Sequence, residues 1–263
     1  RRLRHGTCRG ISSGLRGTDS PLSVVVINMH RVSIHTARRI SARDRQIVEH
    51  VARYRLTTVE VLRRIVMRGL SANAVSKIAN RLCDSGLLQK FTLLHPTRYY
   101  LLGEAGAKSL GIGLHRTIPL GPQSLPMEYA VLAYSALSKH PRKRLTSAEV
   151  QKLCPSLPAA FVETPHCFDE QQQILELVRI DLGGPADHVA RKCAADVNDR
   201  RRIREFAPFI TGGHFRLVVV TATKEKSAAI RQALDRHDWP IGLALHLSIV
   251  PQLLSLTASR HHA

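Results

Sequence analysis

Between Ser41 and Gly111, apolar residues recur at helical spacing in three successive runs and then switch to alternation. In SARDRQIVEHVARY, the residues Ile47, Val48, Val51 and Tyr54 fall three and four apart and line one face of a first predicted helix. Ser41 is its expected N-cap, and Asp44 stands where a capping-box acid would return to the Ser41 amide. Thr57, three residues before Glu60, opens a second predicted helix, TVEVLRRIVM, with Val59, Leu62, Ile65 and Val66 turned inward and Gly69 at its end. Ser71 caps a third, whose buried stripe is Val75, Ile78, Ala79 and Leu82 and whose stop is a left-handed Gly86. The alternating LLQKFTL, a turn at His95 and Pro96, and the returning RYYLL predict a two-stranded ribbon. Helix, helix, turn, helix and ribbon is the order of a winged helix-turn-helix.

After the ribbon, GEAGAKSLG reads as a short closing helix, and GIGLHRTIPLGPQSLP reads as a linker by its glycine and proline content. MEYAVLAYSALSKH is a strongly apolar helix for which two outcomes are open, pairing with a second copy as a homodimer or burial in its own chain. Thr146 and Glu149 cap a further short helix that Pro155 ends. Beyond Pro158 the strand-like QILELVRIDL and FRLVVVTA alternate with the helical PADHVARKCAADVNDRRRIREFAPF and KEKSAAIRQALDRH. LALHLSIV is a last strand and PQLLSL a terminal helical turn, so a parallel or mixed sheet is expected. The expected class is therefore α+β, a winged helix-turn-helix followed by a mixed α/β domain. Its expected divisions are 1–40 as a basic extension, 41–111 as the winged helix, 112–126 as linker, 127–158 as helical connector, 159–257 as the α/β domain and 258–263 as tail.

Charge sharpens the choice of partner. Lys and Arg number 39 against 20 Asp and Glu, a formal +19, and a surface this basic concentrates polyanions. Membrane is disfavoured, because SVVVINM and FRLVVV are far shorter than the ~20 residues of a spanning helix. Aromatic residues are only 5% of the chain, which argues against a stacking platform for single strands. Duplex DNA is the expected partner, met by Asn73, Ser76, Lys77, Asn80 and Arg81 on the outer face of the third helix. Lys90, His95 and Arg98 lie on or near the wing. Taken singly, each of these is a solvated polar residue; the ordered pattern carries the reading.

DRRRIRE places Arg200, Arg201, Arg202 and Arg204 together, either as a second phosphate-contacting patch or as a solvated face paired locally with Asp199 and Glu205. The cysteines Cys8, Cys83, Cys154, Cys167 and Cys193 have no CxxC spacing and read as reduced thiols of a cytoplasmic protein, with no zinc site expected. The opening RRLRHGTCRGISSGLRGTDSPLSV reads either as a basic arm that folds on DNA or as a reading frame extended upstream of a natural start at Met29.

Four passages, ARDRQIVEHVARYRLTTVEVLRR, ANRLCDSGLLQKF, YYLLGEAGAKSLG and LVVVTATKEKSAAIRQAL, give residues 41 to about 257 a sequence that resembles the replication-relaxation family of plasmid and mobile-element proteins. The resemblance implies a role in plasmid replication, mobilisation and copy control, and a C-terminal domain resembling a restriction-endonuclease-like core. Such a core holds a metal with an Asp and, on the next strand, an acid followed two residues later by Lys. Here Asp169 is the candidate first acid and Glu176 and Asp181 are candidates for the second, but Val178 follows Glu176 and no Lys completes either triplet. Only a displaced Lys192 remains, and Asp181 before Leu182, Gly183, Gly184 and Pro185 reads as a strand end and turn. The core is thus expected to be degenerate and noncatalytic, without a cofactor.

The expectation is a sequence-preferring duplex-DNA-binding protein of replication or mobilisation control. Its rivals are a magnesium-dependent nuclease built on Asp169, Asp181 and Lys192, an adaptor docking on a relaxase or replication initiator, and a winged-helix transcriptional regulator.

Overall fold

The change from helical to alternating spacing is also the order in which the chain builds its layers. The computed structural model describes residues 40–258, so the expectations for residues 1–39 and for the last five residues lie outside the described residues.

Helix α1 spans Ala42–Tyr54 with Ser41 as N-cap, its hydroxyl accepting from the Asp44 amide at 3.1 Å. Only half of the expected capping box forms, because the Asp44 carboxylate turns to Arg81 instead. The second helix, α2, is one α-turn, Val59–Val61, continued as a π-turn over Leu62–Val66. Thr58 caps it rather than Thr57, and Val61 joins Leu62 as its buried pair. Thr57 is used otherwise: its backbone exchanges hydrogen bonds of 3.0 and 2.8 Å with Tyr100, and its hydroxyl meets His50 Nε2 at 3.1 Å. Helix α3, Ala72–Asp84, is capped by Ser71 and buries Val75, Ala79 and Leu82.

Strands β1, Leu88–Leu94, and β2, Thr97–Leu102, form the antiparallel ribbon. Both of its faces are covered. Tyr100 and Leu102 join the core of α1 and α3, while Tyr99 and Leu101 join a second core on the far side. The ribbon is therefore a wall between two cores, with its turn and Lys90 left to solvent. Helix α4, Glu104–Ser109, closes against the end of α3 through two glycines. A Cβ at Gly103 would sit 2.1 Å from the Gly86 carbonyl oxygen, and one at Gly106 would sit 2.2 Å from that of Leu87. Neither obstacle is a flexible side chain, so Gly103→Ala is expected to cost about 1–3 kcal/mol or more. Gly121→Ala, where nothing lies within 4 Å, should leave the urea midpoint nearly unchanged.

The expected linker holds a short 3-10 turn, Leu114–Thr117, whose buried Thr117 offers its carbonyl to Gln89 at 3.2 Å. Helix α5, Ser124–Leu132, starts before the expected boundary and runs on as a π-turn over Ala133–Leu137. A five-stranded sheet follows in the order β3 (Lys143–Arg144), β4 (His166–Asp169), β5 (Ile174–Ile180), β6 (Phe215–Thr221) and β7 (Ala244–Ile249). The first three strands are antiparallel neighbours and the last three are parallel, which makes the sheet mixed. Helices α6 (Ser147–Leu153) and α7 (Ala159–Val162) lie between β3 and β4, and α8 (Ala186–Arg201) and α9 (Ala207–Thr211) between β5 and β6. Helix α10 (Lys224–Leu234) joins β6 to β7, and α11 (Gln252–Ala258) ends the described chain. The long helix expected after β5 is thus broken in two.

One sheet face, with Leu175, Leu177, Phe215, Leu217 and Val219, packs on Ala190, Cys193 and Val197 of α8 and Ile230 of α10. The other face, with Cys167, Val178, Val218 and Val220, packs on α5 and α11 and shares its core with Tyr54, Leu56, Val61, Tyr99 and Leu101. Residues 40–258 fall within one compact unit. Of the two outcomes for the apolar helix, its own chain provides the cover: Tyr129, Ala130, Val131, Leu132 and Tyr134 are buried without a partner copy.

Candidate nucleic-acid interface

The face of α3 opposite its buried stripe carries Asn73, Lys77 and Asn80, spaced four and three apart and all exposed. Asn73 and Lys77 make no side-chain hydrogen bond or ion pair among the described residues. Asn80 is engaged, its Oδ1 accepting from Lys90 Nζ of the ribbon at 3.0 Å. Arg81 is engaged too, donating to Asp44 Oδ1 at 2.5 Å while keeping 55% of its side chain exposed. Burial works to raise the Asp44 pKa, but hydrogen bonds from Arg81 and Ser41 hold the carboxyl below its ordinary value. These two contacts lock α3 to the ribbon and to the start of α1.

Ser76, half-buried, turns toward the ribbon and lines a cleft of about 460 Å³ with Glu60 and Arg63 of α2 and Arg98 at the ribbon's turn. Arg98 donates to Thr92 across the ribbon, and His95 is exposed at the turn. Arg63 is an exposed cation on the same cleft that sequence reasoning passed over. Its signal was its place opposite the inward residues of LRRIVM. Neighbouring Arg64 is spent on structure, donating to the carbonyls of Leu137 and Ser138 at 2.7 and 2.5 Å. The eight residues expected on this interface thus lie on the outer side of α3 and along the outer ribbon; among the described residues Asn73, Lys77 and His95 make no side-chain hydrogen bond, and Arg98 bonds only within the ribbon.

The second expected patch does not assemble as a set. Arg200 is 0% exposed. It continues the buried stripe of Ala190, Cys193 and Val197 on α8, sits over the Phe161 ring at 4.7 Å, and donates to Thr164 Oγ1 at 2.9 Å and the Asp196 carbonyl at 3.1 Å. Burial pushes its pKa down to about 10. Arg201, Arg202 and Arg204 are exposed, and Arg202 pairs with Asp199 at 3.2 Å.

The nuclease trio is likewise scattered. Asp169 closes β4 opposite Ile174, and Asp181 follows the far end of β5, so seven residues of strand, roughly 20 Å, separate them. Asp169 accepts from the amides of Gln171 and Gln172, each at 3.1 Å, and Asp181 accepts from the Gly183 amide at 3.1 Å; both carboxylates serve turns. Lys192 is exposed on α8, which covers the other face of the sheet from Cys167 and its strand neighbours Asp169 and Glu176. Glu176 does share a face with Asp169, but its carboxylate is consumed by Arg142 Nε at 3.0 and 2.9 Å, Arg216 Nη1 at 3.0 Å and the Tyr134 hydroxyl at 2.9 Å. Among the described residues, no three His, Cys, Asp or Glu side chains are grouped to hold a metal ion.

Cys83, Cys154, Cys167 and Cys193 are unpaired, and burial pushes the Cys167 and Cys193 thiols up to about 12, which keeps them protonated and unreactive. No helix among the described residues is long and apolar enough to cross a membrane. No family model matches the chain, and no curated protein and no solved structure matches it.

Proposed function

We propose that this chain is a sequence-preferring duplex-DNA-binding protein in which residues 41–111 act as a winged helix-turn-helix. In this reading α3 enters the major groove, with Asn73 and Ser76 nearest the base edges, and Lys77, Lys90, His95, Arg98 and Arg63 meet the flanking phosphates. The observation that carries it is the exposed stripe of Asn73, Lys77 and Asn80 on a helix locked at both sides, beside a ribbon that presents Lys90 and Arg98. The formal charge of +19 supplies the long-range attraction.

Asn73 is the best placed base reader, because a recognition helix contacts base edges through its first turns and Asn80 is already bound to Lys90. Asn73→Ala is expected to narrow the gap between preferred and scrambled duplexes by about 1–3 kcal/mol while leaving scrambled-duplex affinity unchanged. An equal loss on both duplexes would place the reading elsewhere. Action in plasmid or mobile-element replication and mobilisation rests on the replication-relaxation resemblance, and on that reading the α/β part serves as a scaffold without catalysis.

A further inference from the structure

Four arginines turn toward one cavity where α1 ends. Arg53 and Arg55 come from the end of that helix, Arg116 from the 3-10 turn after α4, and Arg144 from β3. With His115, Glu128 and Glu163 among its other walls, four arginines against two acids, the cavity measures about 430 Å³, within the range of small-molecule sites.

Two of the four are neutralised in place. Arg53 holds Glu149 with two nitrogens at 2.5 and 3.1 Å, and Arg144 holds Glu128 at 2.5 Å and the Tyr54 carbonyl at 3.0 Å. The other two are not. Arg55 reaches Glu128 only at 4.0 Å, and its Nε is buried with no hydrogen-bond partner. Arg116 donates to the Ala52 carbonyl at 2.7 Å and has no ion pair among the described residues. Burial lowers the Arg116 pKa and the charges of Arg55 and Arg144 lower it further, while the carboxylates of Glu128 and Glu163 act against them.

Arg55 is the C-cap that ends α1, with φ 68 and ψ −34, a conformation that costs a residue bearing a Cβ. The strained residue is the one whose guanidinium carries the orphaned donor.

We propose that this cavity is a binding site for a small phosphorylated ligand, of the size of a phosphate ester or mononucleotide. A phosphate group brings the charge that Arg55 and Arg116 lack and accepts from planar guanidinium forks in paired fashion. Bound there, it bridges the end of α1 and the turn after α4 to β3, and so ties the helical part of the chain to the edge of the five-stranded sheet.

The test uses the full chain with sodium pyrophosphate and adenosine monophosphate as probes, followed by calorimetric titration and by thermal unfolding. At least one probe is expected to bind with one site per chain and to raise Tm with concentration. Arg116→Gln and Arg55→Gly should each weaken it by about tenfold to a hundredfold. Arg55→Gly also removes the penalty of the positive φ, so without ligand it should be at least as stable as the parent chain, which separates lost binding from lost folding. Lys77→Ala/Arg98→Ala should bind the probe as the parent does, which separates this cavity from the DNA face. The proposal is overturned if neither probe binds in the millimolar range. It is equally overturned if binding is unchanged in Arg55→Gly and Arg116→Gln, or is lost in Lys77→Ala/Arg98→Ala instead.

Discussion

Glu176→Leu is expected to lower the stability of the chain by about 3–5 kcal/mol, read as a fall in the urea midpoint. Glu176 is 0% exposed on β5, and it is the shared acceptor of Arg142, Arg216 and the Tyr134 hydroxyl. Those arginines keep only 10% and 15% of their side chains in solvent. Removing the carboxylate leaves two guanidinium groups and one hydroxyl without their anion. The arginines cannot escape by losing a proton, and the Tyr134 hydroxyl, whose pKa is driven up by burial and by Glu176, stays a donor needing an acceptor. Glu176→Gln keeps an acceptor for Tyr134 and should lie between the two. Replacing all three charges at once, as Glu176→Leu/Arg142→Met/Arg216→Met, should recover most of the loss, since a buried ion cluster gives back in attraction little more than its desolvation costs. A loss below 1 kcal/mol in Glu176→Leu would mean that water reaches the cluster.

The second large effect is on binding. Lys77→Ala/Lys90→Ala/Arg98→Ala is expected to weaken every duplex alike and to flatten the dependence of log affinity on log salt by about 2–3 in slope. Each cation that meets a phosphate releases about one counterion, so the change in slope counts how many of the three side chains bind phosphate in the parent chain. All three side chains are exposed, and the variant should unfold within about 0.5 kcal/mol of the parent. An unchanged slope would move phosphate binding off this face, with Arg201, Arg202 and Arg204 the next to substitute.

Local signals account for what the sequence made legible. The caps at Ser41, Ser71 and Thr146, the stop at Gly86 and the apolar spacing of α1 and α3 are decided within a few residues, and each appears where expected. The strands β5, β6 and β7 and helix α10 follow from unbroken apolar runs separated by a helical period. The strands β3 and β4, of two and four residues, are too short to show a period. Thr57 and Thr58 are equivalent as caps by composition, and only the pairing of Thr57 with Tyr100, far along the chain, separates them.

Two features of the packing do have a local signal. RYYLL does not alternate, and an unbroken apolar run in a ribbon means burial on both faces, which is how Tyr99 and Tyr100 are both covered. Arg200 follows Cys193 and Val197 at spacings of four and three, on the buried stripe of α8 and not among its exposed neighbours. The site was legible as a face and not as a network. Spacing put Asn73, Lys77 and Asn80 in line, but the clasps from Lys90 to Asn80 and from Asp44 to Arg81 are tertiary. The convergence of Arg55 and Arg116 on one cavity is tertiary in the same way, between residues that no local pattern connects.

On the proposed role in replication control, preference for a DNA sequence stands or falls on a salt titration of binding to a labelled duplex from a candidate origin in the DNA flanking this chain's coding sequence, run against a scrambled duplex of equal length. Preference for the origin duplex is expected to persist as salt rises, because base contacts survive the screening that removes phosphate attraction. Equal affinities that fall together with salt would contradict the reading and leave a basic protein that holds phosphate without reading sequence.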